Sequence, residues 1–263
     1  MVTSPDPSVR EIALRSVTVK FGNVVALDDA TFTAEAACIT GLVGRNGAGK
    51  STSIHVLAGF VTPDRGDASL LGEAVDRRDG APASVKRQTG FLLSDPALFP
   101  YLSPTETLLF LGEVYGLDAR ESSARTAKLL RFFELESAQD RLVDGFSTGM
   151  LKRMALAAAL IHSPRALILD EPFEGLDPLM VRRLKTLLLQ YRATGGTVLV
   201  SSHLIHVIAE ICDHVCFLDR GKVIYDGAIE AAPDGDSGGK LEELYAGLVE
   251  ESDPATLEWL RVS

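Results

Sequence analysis

Gly44 to Ser51 read GRNGAGKS, and the octet stands between an apolar run, Ile39 to Val43, and a helix-like stretch, Ser51 to Ala58. Glycines at 44, 47 and 49 let the backbone turn so that successive N–H groups point at one spot, and the helix N-terminus behind them adds partial positive charge. The pattern G-x-x-x-x-G-K-[ST] in a strand, loop and helix context is that of a phosphate cradle. Lys50 brings a full charge to the outer phosphates and Ser51 a hydroxyl to Mg²⁺, while Arg45, Asn46, Ala48 and Thr52 complete the expected contact with the nucleotide.

A second segment, ALILDE, supports this reading. Ala166 to Leu169 form an apolar run without alternation, as a strand covered on both faces requires. Carboxylates at the C-terminal end of such a strand stand where ligands bind in open α/β sheets. Asp170 is placed to hold Mg²⁺ and Glu171 to polarise an attacking water as general base. Together the two segments predict an α/β chain that binds and hydrolyses ATP.

Composition limits the partners. Twenty-six basic residues against 36 acidic ones give a formal net charge of -10, which opposes broad attraction to nucleic acid or anionic lipid, although a local basic patch is compatible with it. Three cysteines, Cys38, Cys212 and Cys216, are too few and scattered for a disulfide framework and fit a reducing compartment. Cys212 and Cys216 flank His214, yet the strand-like Val215 to Leu218 favours core cysteines over a metal site. Met154 to Ile161, the longest apolar run, is far short of the roughly 18 residues of a membrane helix. MVTSPDPSVR has no apolar centre and reads as a loose tail rather than a signal peptide.

Along the chain, Glu11 to Val19 and Val24 to Phe32 alternate around a Gly22-Asn23 turn, predicting an antiparallel sheet. Short strands are expected at Asp64 to Gly72 and Thr89 to Leu93. From Pro104 to Ser163 apolar residues recur at three and four, as in Leu108, Leu111, Val114 and Tyr115, marking a helical subdomain at about 95–163. Helix Leu179 to Tyr191, strand Thr197 to Val200, helix Ile205 to Cys212 and strand His214 to Leu218 follow. A hairpin at Arg220-Gly221 leads into Val223 to Tyr225. Residues 1–10 are then a tail, 11–230 one ATP-binding domain, and 231–263 a Gly/Pro/Asp linker (Ala231 to Gly239), a helix (Leu241 to Val249) and an end segment with Trp259.

Between the phosphate segments stands FSTGM, Phe146 to Met150, which resembles the signature of ABC-type ATPases in its S-x-G form. GLDP, Gly175 to Pro178, resembles that family's D-loop, and SSH, Ser201 to His203, its switch histidine; Phe21 stands where the family carries an adenine-stacking aromatic. The resemblance covers Ile12 to Gly227. It implies a RecA-like P-loop core with a flanking antiparallel β subdomain and a helical subdomain. It also implies ATP and Mg²⁺ as cofactors, His203 at the γ-phosphate, and Asp177 in the D-loop. Ser147, Thr148 and Gly149 would close over the ATP of a second chain, identical or paralogous. The implied partner is a separate transmembrane permease, docked near Ser94 to Thr105, with this chain cytoplasmic on the inner face of the membrane. No nucleic acid is expected.

One position departs from the family. Ser94 stands where a glutamine follows the strand GFLL, and its hydroxyl is about two bonds shorter, so direct reach to the metal is not expected and basal turnover should be modest. Asp95 is the other candidate, although adjacent extended residues point to opposite sides. Two alternatives stay open: a soluble ABC-type ATPase acting on ribosomes or DNA, which usually carries two such units or a long insertion absent here, and a weakly hydrolysing regulatory binder.

Overall fold

The computed structural model describes residues 10–76, 79–95, 98–229 and 237–249. Most of the expected N-terminal tail and linker, and the segment with Trp259, lie outside the described residues. β1 (Arg10–Phe21) and β2 (Val24–Glu35) form the antiparallel pair around Gly22, whose φ of 59° suits the tight turn. β4 (Arg65–Leu70) and β5 (Glu73–Ala74) extend this sheet in the order β2-β1-β4-β5.

The central sheet is built from β3 (Ile39–Val43), β6 (Thr89–Leu92), β7 (Ala166–Asp170), β8 (Thr197–Ser202), β9 (His214–Asp219) and β10 (Lys222–Ala228), in the order β10-β9-β3-β8-β7-β6. All neighbours pair in parallel except the β9–β10 hairpin. Each strand feeds two cores. Ile39, Val43, Leu167, Leu169, Val198, Val200 and Phe217 face one, and Leu42, Ile168, Leu199, Cys216 and Leu218 face the other. This explains the unbroken apolar runs in the sequence.

Helix α1 (Lys50–Ala58) and the antiparallel sheet cover the second face; the first lies under α5 (Thr148–Leu160), α6 (Pro178–Ala193), α7 (Ile205–Ile211) and α8 (Ser237–Leu248). The short α2 (Ala83–Lys86) precedes β6, and α3 (Pro104–Val114) and α4 (Ala119–Phe132) complete the helical region. A capping box starts α3: the Glu106 N–H donates to Ser103 Oγ and the Ser103 N–H to Glu106 Oε2. Helix α8 starts at Ser237, four residues before its expected onset, despite Gly238 and Gly239. Its buried Leu241 and the contact of Tyr245 with Phe217, ring centroids 5.1 Å apart, outweigh that low propensity. Val114, assigned by spacing to the apolar stripe of α3, is instead 55% exposed.

Candidate nucleotide site

The phosphate loop leaves β3 at Gly44 and enters α1 at Lys50. Gly47 and Gly49 have φ of 82° and 112°, which only glycine adopts without strain, and a Cβ on Gly49 would stand 2.7 Å from the Ala26 carbonyl oxygen. The Gly221 N–H donates to the Ala48 carbonyl (2.9 Å), tying the loop to the β9–β10 turn. Lys50, 6% exposed, donates from Nζ to the Gly44 carbonyl (2.7 Å) and pairs with Glu171 Oε1 at 3.2 Å.

Strand pairing brings the remaining groups together. Asp170 ends β7 in register with Ser201 of β8, whose hydroxyl donates to Asp170 Oδ1 at 2.5 Å. Ser94, just past β6, donates from Oγ to Asp170 Oδ2, and its Oγ lies 3.4 Å from Ser51 Oγ. Short as it is, the Ser94 hydroxyl touches Asp170, because the chain leaving β6 passes close to the end of β7. A carboxylate with hydroxyls from Ser51 and Ser94 is an oxygen-only set, the kind a hard cation such as Mg²⁺ takes, and the glycine loop has the open backbone a polyphosphate needs. The residues present fit Mg²⁺ and a nucleotide.

Glu171 is held from β8, α5 and the segment after β8, while its Oε1 has the Lys50 ion pair and no hydrogen bond. Its Oε2 accepts from the His203 N–H (3.3 Å) and lies 3.0 Å from His203 Nδ1, while Oε1 faces Lys50. Its backbone has φ of 46°, its N–H donates to Ser201 Oγ (2.9 Å), and its carbonyl accepts from Lys152 Nζ (2.8 Å). Ser201 and Lys152 were missed by sequence reasoning. Ser201 was visible only as a neighbour of His203, and Lys152 as one more basic residue on a helix. Burial pushes the Lys152 ammonium below the ordinary lysine range, opposed by Glu174, Asp170 and Glu171.

Other expected residues stand apart. Phe21 is 53% exposed at the end of β1, so it is not a core side chain. Ser147 caps α5, accepting from the Met150 N–H at 3.4 Å; Thr148 opens the helix, and a Cβ on Gly149 would stand 3.0 Å from the Gly175 carbonyl. Asp177 caps α6 by accepting from Leu179 and Met180, both at 3.0 Å, and the Met180 N–H leads in lowering its pKa. Among the described residues, no hydrogen bond or ion pair joins Ser147, Gly149 or Asp177 to the phosphate loop.

A phosphate loop facing a strand-end carboxylate pair and a histidine, on a parallel sheet flanked by an antiparallel one, defines a P-loop ATPase. The ABC transporter family model matches residues 27–174. The chain is 36% identical over 253 residues to the Nod factor export ATP-binding protein I of Burkholderia lata, spanning 95% of this chain and 79% of that one. The protein of that name from Bradyrhizobium diazoefficiens is 37% identical over 240 residues, 90% of this chain and 76% of that one. A solved ATP-binding subunit of an ABC transporter superposes with a TM-score of 0.80 at 31% identity, covering 90% of this chain and 98% of that one. The chain belongs to the ABC transporter family, as an ATP-binding and ATP-hydrolysing subunit.

Proposed function

We propose that this chain powers export through a separate membrane permease, working as an ATP-closed dimer, identical or paralogous, on the inner face of the membrane. The observation that carries this reading is the placement of Glu171, whose carboxylate meets both Lys50 and His203 beside the Asp170, Ser51 and Ser94 oxygens. Lys50 leaves Glu171 to meet the phosphates, and Glu171, freed of that charge, takes a proton from the attacking water. His203 orients Glu171 and the transferred group, Asp170 and Ser51 would hold Mg²⁺, which when bound would neutralise phosphate charge, and Phe21 would stack on adenine. Among the described residues no hydrogen bond joins Ser147 or Gly149 to the phosphate loop of their own chain, which supports a role over the partner's nucleotide.

The permease would dock on an apolar surface. Phe99, Tyr101, Phe110, Val114 and Leu142 are 41 to 80% exposed, with Phe99 and Phe110 in edge contact at 5.4 Å. The 100–102 and 142–144 segments are laced by backbone bonds such as Val143 N–H to Leu102 O, 3.0 Å. Among the described residues no helix is long and apolar enough to cross a membrane. The name of the relatives supports export as the direction. The test is co-purification of the full chain with its membrane partner from detergent. Tyr101→Asp should abolish it while leaving ATP affinity unchanged, and persistence of the complex would move the docking surface elsewhere.

A further inference from the structure

Glu171 adopts a left-handed backbone conformation, φ 46°, that an ordinary side chain seldom holds unaided. Ser201 fixes its N–H from β8, and Lys152 fixes its carbonyl from α5. Lys152 is only 8% exposed and lies one turn into the helix that Ser147 caps, three residues after Gly149. A buried ammonium there is costly to desolvate, and an apolar side chain would pack at less cost, so packing alone does not account for a lysine. Helix α5 thus carries at its tip the residues offered to the partner's nucleotide, and one turn later the donor that grips the backbone of its own chain's base.

We propose that Lys152 is a positioning residue that links the two nucleotide sites of the dimer: when α5 is drawn onto the partner's phosphates, its ammonium carries the Glu171 peptide of its own chain into working position. The proposal rests on the shared-site reading above. Lys152 touches no nucleotide on that reading, so its influence falls on turnover and on cooperativity between sites, not on binding. Arginine can keep the contact with the carbonyl, whereas methionine keeps the length and loses the donor.

The test uses the full chain as its ATP-dependent dimer. Lys152→Met is expected to lower kcat about 10-fold with KM and ATP affinity within about twofold, and to reduce the Hill coefficient of turnover from above 1 to about 1. Lys152→Arg should recover at least about half of both effects; Lys152→Gln, too short to span the gap, serves in place of Lys152→Met if that variant fails to fold. A second arm pairs a Glu171→Gln chain, which is expected to keep ATP binding, with a chain whose base is intact, leaving one hydrolysing site while α5 of the intact chain can still close on the partner's ATP. Adding Lys152→Met to the intact chain should lower turnover, and adding it to the Glu171→Gln chain should not. A wild-type Hill coefficient of 1, a KM change as large as the kcat change, or an effect confined to the Glu171→Gln chain overturns the proposal. Failure of a Lys50→Ala and Gly149→Asp mixture to hydrolyse anything, with heterodimers formed, overturns site sharing instead.

Discussion

Ser94 and Asp170 are hydrogen-bonded across neighbouring strand ends, the serine hydroxyl donating to Oδ2 while its oxygen lies 3.4 Å from that of Ser51. A side chain two bonds shorter than glutamine reaches the metal-site groups because β6 and β7 run in register, Leu92 beside Leu169, and the chain turns immediately past β6. Ser94→Ala is therefore expected to raise the Mg²⁺ concentration for half-maximal ATPase by about fivefold, the effect of one lost hydrogen bond of about 1 kcal/mol. A Mg²⁺ titration of turnover checks it, and an unchanged midpoint would remove Ser94 from the site.

Lys50→Ala should weaken ATP binding by 10-fold or more by calorimetry, since the loop loses the buried ammonium expected at the outer phosphates. The substitution also leaves Glu171 facing the site without its ion-pair partner. Affinity equal to wild type would reassign the phosphate site.

Glu171→Gln preserves shape and hydrogen bonding to His203 but removes basicity, so turnover should fall by roughly 10² or more. Because Lys50 loses its competing carboxylate, ATP affinity should be equal or higher than wild type. Size-exclusion chromatography should then show an ATP-stabilised dimer, and hydrolysis at the wild-type rate would exclude Glu171 as the base.

A Lys50→Ala chain mixed with a Gly149→Asp chain should recover ATPase that neither shows alone, because one composite site per heterodimer is intact. Any side chain at 149 must displace the Gly175 carbonyl, and a carboxylate there would repel phosphate. No recovery in heterodimers shown to form would count against a shared site.

His162 stacks on Tyr115 with ring centroids 3.8 Å apart, and burial, the leading cause, lowers its pKa to about 4. The folded state then binds fewer protons than the unfolded one between pH 6.5 and about 4, so stability falls as pH drops through that window. For a ring still partly open to solvent the loss is of order 1 to 2 kcal/mol. His162→Phe should flatten the difference in urea stability between pH 7 and pH 5, and a difference equal to that of wild type would assign the acid sensitivity to another group.

The order of phosphate loop, signature, strand-end carboxylates and histidine is local chemistry written in short segments, so the fold class and most groups of the candidate site were legible in the sequence. Uninterrupted runs such as Ala166 to Leu169 announced a doubly covered sheet because each residue alternates between two cores, Leu167 to one and Ile168 to the other. Strand register was not legible, and it is register that sets Ser201 against Asp170 and lets Ser94 touch the same carboxylate. Nor could spacing show that Lys152 turns inward to a backbone carbonyl, since a basic residue on a helix is ordinarily a solvated one. The start of α8 at Ser237 likewise depends on burial of Leu241 and on the contact of Tyr245 with Phe217 of β9, a packing gain that exceeds the helix cost of two glycines. Residue type and spacing determined which chemistry this chain carries; contacts between residues far apart in the chain decided how Glu171 is held, because only folding brings those groups within bonding distance.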